Sequence, residues 1–495
     1  MKKCIVIGSG LGGLSAAIRL VLQGLEVHVY EKNDSCGGKA NELKTNGFRF
    51  DTGPSLVTMP FVMESLFSDA GKKLSDYITI ESLERHCRYF YTDGTTIDAH
   101  KDVHDFSREI QGKTIDSSSA VEKYLQYTST IYDLTANLFL FNDFHEISTF
   151  VKNKDAKNTL FNIRKIDSMR TVHKANSSFF NDKKTIQLFD RYATYNGSNP
   201  YRAPATLNII PHVEYNMGSF IIKEGIYELV RAMEKLAGEL GVVIHLNRKV
   251  TSILVDKKRV KGVYIKDDFA GADIIVSNAD VTVTYNSLLK NKKSRSSRKY
   301  NRLEPSSSAV VFLWGIKGKH ENLGIHNIFF SENYKLEFHE LFEDNKCPGD
   351  ATIYVYISSK FNEKDAPAGC ENWFVMINAP YRRDDANHED YNLRELRNAI
   401  IKKINDQAGV DLSSKILHET ISTPIDIEKK TGSNRGSIYG ISSNSRTAAF
   451  MRQSNRSRDY RGLYFCGGSA HPGGGIPLVM LSGKIVSDLV RKYEL

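Results

Sequence analysis

The chain has 495 residues, of which 41% are hydrophobic and 25% are charged, and its formal net charge is +9. This length exceeds what one simple core can organise and predicts two or three domains in a globular protein. The six cysteines are scattered without a C-x-x-C pair, which argues against a disulfide framework and favours a reduced, cytoplasmic protein.

No run of about 18 apolar residues occurs in the sequence, so we predict no transmembrane helix. The first strand follows Met1–Lys3 at once, so we also expect no signal peptide. The positive charge favours anionic partners. Because the sequence contains no nucleic-acid-binding motif, we expect an acidic lipid surface and no nucleic acid, and we expect no bound metal.

Residues 5–39 carry a continuous nucleotide-binding pattern that begins with an apolar strand. Gly8, Gly10 and Gly13 have the spacing G-x-G-x-x-G, which permits a tight turn, a close backbone approach to a pyrophosphate and close helix packing. The helix that follows directs its unpaired N–H groups and partial positive charge at that pyrophosphate. A second strand ends at Glu31, whose carboxylate can accept hydrogen bonds from both hydroxyls of a ribose.

This order of elements predicts a dinucleotide site. A glycine-rich turn in an unrelated α/β fold is the alternative, but that alternative leaves Glu31 unexplained. Gly37, Gly38 and Lys39 then provide a second close approach of backbone, together with a cation. Such a segment suits a cofactor that is buried along its whole length, and it therefore favours FAD over NAD.

The middle of the chain changes character between about residues 105 and 215, where the spacing of apolar residues is helical. Within it, residues 152–184 are rich in Lys and Arg with interleaved aromatic side chains. A basic, aromatic segment of this kind can lie on an anionic membrane, and an ordinary solvated helix with one buried face is the alternative.

After residue 216 the pattern returns to that of a cofactor domain. It predicts a strand, a helix over about 226–240, a strand ending near Val250 and a buried strand within 272–280. The run 290–302 has seven basic residues and no acid, which predicts a solvated link. Strand-like blocks between 306 and 380 predict a sheet under the substrate. A second G-x-G-x-x-G is absent, which argues against a separate NAD(P)H domain.

The C-terminal segment 462–490 is the second strong signal. A buried strand ends at Gly467 and Gly468, and a glycine-rich loop follows that lets main-chain atoms approach a flat ligand. A helix is predicted from Ile476 to Val490, and its N-terminal dipole would stabilise negative charge on a reduced flavin.

The chain resembles the bacterial-type carotenoid (phytoene) desaturase family over essentially its full length. The blocks that carry this resemblance are FRFDTGPSL (48–56), VSNAD (276–280), HNIFF (326–330), APAG (366–369), TPIDIE (423–428), QSNRS (453–457) and HPGGGIP (471–477). Segments 191–207, 371–380 and 432–457 are most similar to the hydroxycarotenoid 3,4-desaturase branch. Lys39 stands where arginine is common, which keeps the charge but loses the planar fork.

The resemblance implies an α/β fold: an FAD-binding Rossmann-like domain of the amine oxidase/glutathione reductase type, with an inserted mixed-sheet substrate domain and a helical, membrane-contacting cap. The expected boundaries are 1–84, 216–295 and 455–495 for the FAD-binding domain, 85–110 and 296–454 for the substrate domain, and 111–215 for the cap. The expected cofactor-binding residues are Gly8, Gly10, Gly12, Gly13, Glu31, Lys32, Gly37, Gly38, Lys39, Asp51, Thr52, Gly53, Pro54, Ser55, Val250, Asn278, Ala279, Gly467, Gly468, Gly475, Ile476 and Pro477.

The resemblance also implies the dehydrogenation of a membrane-dissolved C40 polyene by hydride transfer to FAD and proton loss from the adjacent carbon. A quinone or O2 would then accept the electrons, and the protein would be cytoplasmic and peripherally membrane-associated. An extended polyene cation needs little stabilisation, so no catalytic triad is required. His326 and His471 are candidates for the proton acceptor, although a structural role is the alternative for each.

Within the family, the branch implies 3,4-desaturation of a 1-hydroxy carotenoid such as 1'-hydroxy-γ-carotene. A buried polar group would pair with its hydroxyl, and Arg191, Tyr195 and Asn196 are the candidates. The alternatives are a phytoene desaturase that makes neurosporene or lycopene, a redox-neutral FAD-dependent carotenoid isomerase, an amine or protoporphyrinogen oxidase, and a non-catalytic carotenoid carrier.

Overall fold

The computed structural model describes residues 1–143, 145–146, 162–291, 294–383, 391–445 and 452–495. Its strands are β1 Lys3–Ile7, β2 Glu26–Tyr30, β3 Glu42–Thr45, β4 Phe48–Asp51, β5 Ile80–Ser82, β6 Arg85–Phe90, β7 Thr96–His100, β8 Phe220–Ile222, β9 Val243–His245, β10 Val250–Asp256, β11 Arg259–Ile265, β12 Asp268–Gly271, β13 Ile274–Ser277, β14 Ser308–Lys317, β15 His326–Phe329, β16 Ile353–Tyr356, β17 Cys370–Ala379, β18 Ile416–Ser422 and β19 Leu463–Phe465.

The longer helices connect these strands, and four of them follow one another between β7 and β8. They are α1 Leu11–Val21, α2 Pro60–Asp69, α3 Val103–Lys113, α4 Ser118–Phe139, α5 Val172–Asn176, α6 Lys183–Asp190, α7 Tyr227–Glu239, α8 Arg295–Asn301, α9 Tyr334–Phe342, α10 Leu393–Ala408, α11 Pro424–Thr431 and α12 Ile476–Tyr493.

A five-stranded parallel sheet with the order β19-β13-β1-β2-β9 forms the first layer. Its central strand β1 is an unbroken apolar run, as expected of a strand that is covered on both faces. Helices α1 and α12 pack closely on one another, because a Cβ at Gly483 would lie 2.7 Å from the backbone nitrogen of Ala16. The first and last segments of the chain thus form one unit, and the carboxyl ends of β1, β13 and β19 meet at one edge.

A seven-stranded mixed sheet with the order β18-β14-β17-β16-β15-β6-β7 forms the second layer. Strands β14 and β17 pair along ten residues each. Because side chains alternate across a strand, one face of the sheet packs on helix α10 and the other carries the aromatic side chains of Tyr89, Tyr354 and Phe374. The predicted strand-like blocks between 306 and 380 all lie in this sheet.

Helices α3, α4 and α6 cover part of that aromatic face. Phe106, Tyr124 and Phe189 from these helices belong to the same buried cluster as Tyr89 and Phe330 of the sheet. The basic segment 152–184 lies only partly within the described residues. In the described part of the chain, we find no helix whose length and apolarity would let it cross a membrane.

One local prediction was wrong. The predicted link at 290–302 contains helix α8, because the Ser294 hydroxyl accepts a hydrogen bond from the backbone N–H of Ser297 and starts the helix. The Tyr300 ring is buried against Tyr285, so this basic run has an apolar side. The predicted domain boundaries stay predictions.

Candidate functional site

Two glycine-rich segments, far apart in sequence, converge on the side chain of Asn278 at the end of β13. A Cβ at Gly10 would lie 2.8 Å from its Nδ2 atom, and a Cβ at Gly12 or Gly467 would lie 2.8 or 2.6 Å from its Oδ1 atom. Each distance is too short for a real side chain. A larger residue at any of these positions would therefore displace the Asn278 amide, which lies between the first loop and the last loop.

Glu31, at the end of β2, is 5% exposed and turns back over the first glycine loop. Its carboxylate accepts hydrogen bonds from the backbone N–H and the hydroxyl of Ser9 at 2.9 and 3.0 Å, and from the backbone N–H of Asn33 at 3.0 Å. The backbone N–H of Gly37 donates to the carbonyl of Ser9 at 3.0 Å. The acid is thus fixed beside both predicted phosphate-binding loops.

Two helices begin at these loops without side-chain caps in the described residues: α1 after Gly10 and α12 after Gly475. Their first N–H groups are available to an anionic ligand or a ring carbonyl. Gly475 has a φ of +107°, and a Cβ there would meet nothing within 4 Å, so open space adjoins the start of α12. Uncapped helix starts, an oriented carboxylate and this open space fit FAD.

Lys39 and Lys32 both reach towards the segment around α11. The Lys39 ammonium donates to the carbonyls of Ser437 and Ile438, and burial lowers its pKa to about 8. Lys32 donates to the carbonyl of Lys429 at 2.8 Å. The two lysines therefore join the N-terminal segment that contains them to the segment around α11.

The DTGPS turn, residues 51–55, packs against Lys39, because a Cβ at Gly53 would lie 2.0 Å from the Lys39 carbonyl oxygen. Asp51 is engaged in a buried ion pair with Arg49 at 2.7 Å and accepts a hydrogen bond from the backbone N–H of Tyr227. These contacts give Asp51 a structural role in joining β4 to the start of α7. They leave Ser55, at the end of the turn, facing the second sheet.

Four other predicted cofactor residues lie at the margins of this site. Val250 is buried at a register shift in β10, and Ala279 follows Asn278 directly. Ile476 and Pro477 form the first turn of α12. The roles of all these residues towards FAD stay predictions.

His326 starts β15 on the aromatic face of the second sheet. Its Nδ1 atom lies 2.8 Å from the Tyr354 hydroxyl, which lies 2.5 Å from the Ser55 hydroxyl. Its Nε2 atom is buried without a partner among the described residues. Burial, together with the nearby His86 and Arg191, lowers the pKa of His326 to about 3, so the ring is neutral at pH 7.

His471 lies in a different environment. Its Nε2 atom hydrogen-bonds the carbonyl oxygen of Asn142 at 2.9 Å, and its own carbonyl accepts from the Asn455 amide at 2.7 Å. Burial lowers its pKa to about 4, although the nearby Asp143 favours the charged form. The ring thus connects the C-terminal glycine loop to the segment after α4.

The three predicted substrate residues separate into two groups. Arg191 and Tyr195 meet at Glu214, which lies 3.7 Å from Arg191 and accepts from the Tyr195 hydroxyl at 2.6 Å. Asn196 instead donates to the Ser443 hydroxyl and accepts from Arg452.

Arg452 and Tyr354 were missed at the level of sequence. Arg452 is 3% exposed and donates hydrogen bonds to the carbonyls of Gly468 and Ile441 at 3.0 and 2.9 Å. These bonds hold the last glycine loop in place. Burial lowers its pKa to about 10. The sequence feature that could have identified Arg452 is its position directly before the QSNRS block. Tyr354 lies in an ordinary strand, and no sequence feature marks it as a functional residue.

Residues 11–491 match the family described as flavin containing amine oxidoreductase. The chain is 40% identical over 493 residues to a 1-hydroxycarotenoid 3,4-desaturase from Flavobacterium sp., covering 99% of both chains. It is 36% identical over 495 residues to a 4,4'-diaponeurosporene oxygenase from Staphylococcus aureus, covering 100% of this chain and 99% of the relative.

The fold is similar to the crystal structure of an oxidoreductase from Methanosarcina mazei, with a TM-score of 0.64 at 16% identity, over 98% of this chain and 100% of that one. At this identity the likeness concerns the fold alone. Taken with the full-length matches in sequence, the chain belongs to the flavin-containing amine oxidoreductases, among relatives of the carotenoid desaturase type, and is an FAD-dependent oxidoreductase.

Proposed function

We propose that the protein is a carotenoid desaturase that introduces a C=C bond at the 3,4 position of a 1-hydroxy carotenoid. The observation that carries this proposal is the 40% identity to a 1-hydroxycarotenoid 3,4-desaturase along the whole chain. The geometry adds support, because an apolar, aromatic sheet face meets the DTGPS turn where the Tyr354 hydroxyl contacts Ser55.

That face runs across five neighbouring strands, from Tyr89 through Ile328, Tyr354 and Phe374 to Leu313. At a strand spacing of about 4.8 Å, five strands span roughly 19 Å. The cap helices cover one end of it, and Phe48 and Phe50 cover the other. Such a surface holds an extended apolar chain and excludes water from it.

FAD, when bound, supplies the acceptor for the hydride that leaves the substrate. The second hydrogen leaves as a proton, and we assign its uptake to Nε2 of His326. In this assignment Nδ1–H donates to the Tyr354 hydroxyl, which donates to Ser55, so the lone pair of Nε2 is free. A base with a pKa of about 3 is weak, but a cation on a polyene is acidic enough to lose a proton to it.

We also propose that the protein takes its substrate from an anionic membrane and passes electrons to a quinone or O2. The support for membrane contact is a basic surface cavity on the cap, lined by Lys123, Arg164, Lys165 and Arg170. Cations of this kind attract anionic headgroups.

The test is incubation of FAD-loaded protein in liposomes with phytoene or with 1'-hydroxy-γ-carotene, followed by chromatography, absorbance and mass. Loss of two hydrogens and a red shift only with the hydroxylated substrate is the expected result. Conversion of phytoene would indicate an early desaturase, and an isomer of unchanged mass would indicate an isomerase. The 36% identity to an oxygenase makes gain of oxygen the second candidate outcome.

A further inference from the structure

A cluster of buried polar side chains lies beside His326 and has no role in the steps above. The guanidinium of Arg191 lies 4.6 Å from the ring centre of Tyr192 and 5.2 Å from that of Tyr195, and it donates to the Tyr89 hydroxyl at 2.9 Å. We call the following residues the Arg191 cluster: His86, Arg191, Tyr192, Tyr195, Glu214 and Tyr215.

The charges within the Arg191 cluster balance. Glu214 is 2% exposed and accepts hydrogen bonds from the hydroxyls of Tyr192 and Tyr195 at 2.6 Å each, and its charge offsets that of Arg191. Burial lowers the pKa of His86, so this ring is neutral. A ligand with a charge of its own would be buried here without a counter-ion, and the cluster therefore suits a neutral ligand.

Four buried polar atoms in the cluster lack a hydrogen-bond partner among the described residues. They are Nε of Arg191, the Tyr215 hydroxyl and both ring nitrogens of His86. Buried polar atoms in native proteins are nearly always paired. The concentration of such unpaired atoms in one place indicates that a group from outside the chain supplies their hydrogen-bond partners.

The position of His86 places its ring within the cluster. The ladder between β6 and β7 shifts its register between Arg85 and Cys87, so His86 is the extra residue of a bulge. Its ring packs edge-on against Tyr215, with the ring centres 5.5 Å apart. The Tyr215 hydroxyl faces those of Tyr89 and Tyr192 without reaching hydrogen-bond geometry.

The cluster also adjoins His326, to which we assign the proton step. His326 connects through Tyr354 to Ser55, which we predict to border FAD, and both His86 and Arg191 act electrostatically on His326. In a 1-hydroxy carotenoid, the hydroxyl carbon is close to the 3,4 bond along the chain. A hydroxyl site must therefore adjoin the reacting bond, as the Arg191 cluster adjoins His326.

We propose that the Arg191 cluster binds the neutral hydroxyl at the end of the polyene and selects hydroxylated over unhydroxylated ends, an inference that rests on the proposed function. A hydroxyl donates one hydrogen bond and accepts others. It pairs with Nε–H of Arg191 and with the acceptor nitrogen of His86, while Tyr215 completes its shell. A carbonyl end group only accepts, so it would leave the His86 nitrogen unpaired.

The test compares Tyr215→Phe with a matched control, Tyr124→Phe. Both changes remove one buried hydroxyl without a partner from the same aromatic core, but the Tyr124 ring lies among Phe179, Phe180 and Phe189. For each protein, turnover and equilibrium binding are measured in liposomes with 1'-hydroxy-γ-carotene and with γ-carotene, and binding is followed by quenching of flavin fluorescence.

We expect the wild type to bind the hydroxylated polyene about tenfold more tightly, as one buried hydrogen bond would give. Tyr215→Phe should lower this ratio through KM, because one of the hydroxyl's three neighbours is lost, and Tyr124→Phe should retain it. Equal affinities of the wild type for the two polyenes, or an unchanged affinity ratio in Tyr215→Phe, would overturn the inference. Water would then be the group that pairs with the Arg191 cluster. Selective binding without any turnover would instead reject the proposed function and leave the hydroxyl site standing.

Discussion

The carboxylate of Glu31 is held against the first glycine loop by Ser9, which donates to it from both its backbone N–H and its hydroxyl. The backbone N–H of Asn33 donates to the other carboxylate oxygen, so both oxygens of Glu31 act as acceptors. We predict that the same carboxylate accepts hydrogen bonds from an adenosine ribose beside the loop.

Glu31→Gln should weaken FAD binding about 10- to 100-fold, because the amide loses the negative charge and can accept at only one of the two oxygen positions that Ser9 and Asn33 occupy. Titration of the apoprotein with FAD, followed by flavin fluorescence, measures this change. Glu26→Gln on the same strand is the control, since Glu26 is half-exposed and pairs with Lys3. Equal FAD affinity in the two variants would contradict the assignment of Glu31.

Gly13→Ala should prevent FAD loading and lower the melting temperature, because a Cβ at Gly13 would lie 2.2 Å from the carbonyl oxygen of Gly8. Neither group is at the end of a flexible side chain, so the loop must distort. The measurement is flavin absorbance per chain together with thermal unfolding. Gly112→Ala is the control, since a Cβ there meets nothing within 4 Å, and it should gain up to about 1 kcal/mol of helix stability.

The glycine loops were predictable because each glycine stands where neighbouring atoms come too close for a side chain. These positions recur at a fixed spacing in the sequence. Gly10, Gly13 and Gly467 show this in their contacts with Asn278 and Gly8. The predicted fold class is confirmed by the family match and by flavoenzyme neighbours of the same fold.

The Arg191 cluster could be predicted only in part. Arg191 and Tyr195 came from a branch-specific block, but His86 and Glu214 stand far from them in sequence and meet them only through tertiary packing. The helix at 295–301 was missed for a related reason. The seven positive charges of the run suggested a solvated link, whereas the buried ring of Tyr300 packs α8 onto the core.

Tyr354→Phe should lower kcat about tenfold or more while leaving FAD content unchanged. The change removes the hydroxyl that orients Nδ1 of His326, so the ring can turn its N–H towards the substrate and lose its acceptor position. Tyr356→Phe is the matched control, because the Tyr356 ring also stacks on His326, at 5.0 Å, from the same strand.

Equal rates in Tyr354→Phe and Tyr356→Phe would remove His326 from the proton step. Single-turnover reduction of the flavin by substrate is the appropriate measurement, because it isolates the chemical step from product release. A loss of FAD in Tyr354→Phe would show instead that the Ser55 hydroxyl needs Tyr354 in order to bind the cofactor.

Acid should destabilise the protein through His326 and His471, whose pKa values in the folded chain are lowered to about 3 and about 4. Below the ordinary histidine pKa of about 6.5, these histidines bind protons in the unfolded chain but stay neutral in the folded chain. The free energy of unfolding is therefore highest above that pH and falls as the pH drops towards 4. Between pH 7 and pH 5, each ring should cost about 2 kcal/mol.

Urea unfolding of the FAD-loaded protein at pH 7 and pH 5 measures this loss. His326→Gln should reduce the difference between the two pH values by about 2 kcal/mol, because glutamine does not titrate. The exposed His104 gives the control, and His104→Gln should retain the full difference. If His326→Gln retained it too, the ring would already be protonated or solvated in the folded chain, and its assignment as a neutral proton acceptor would fail with it.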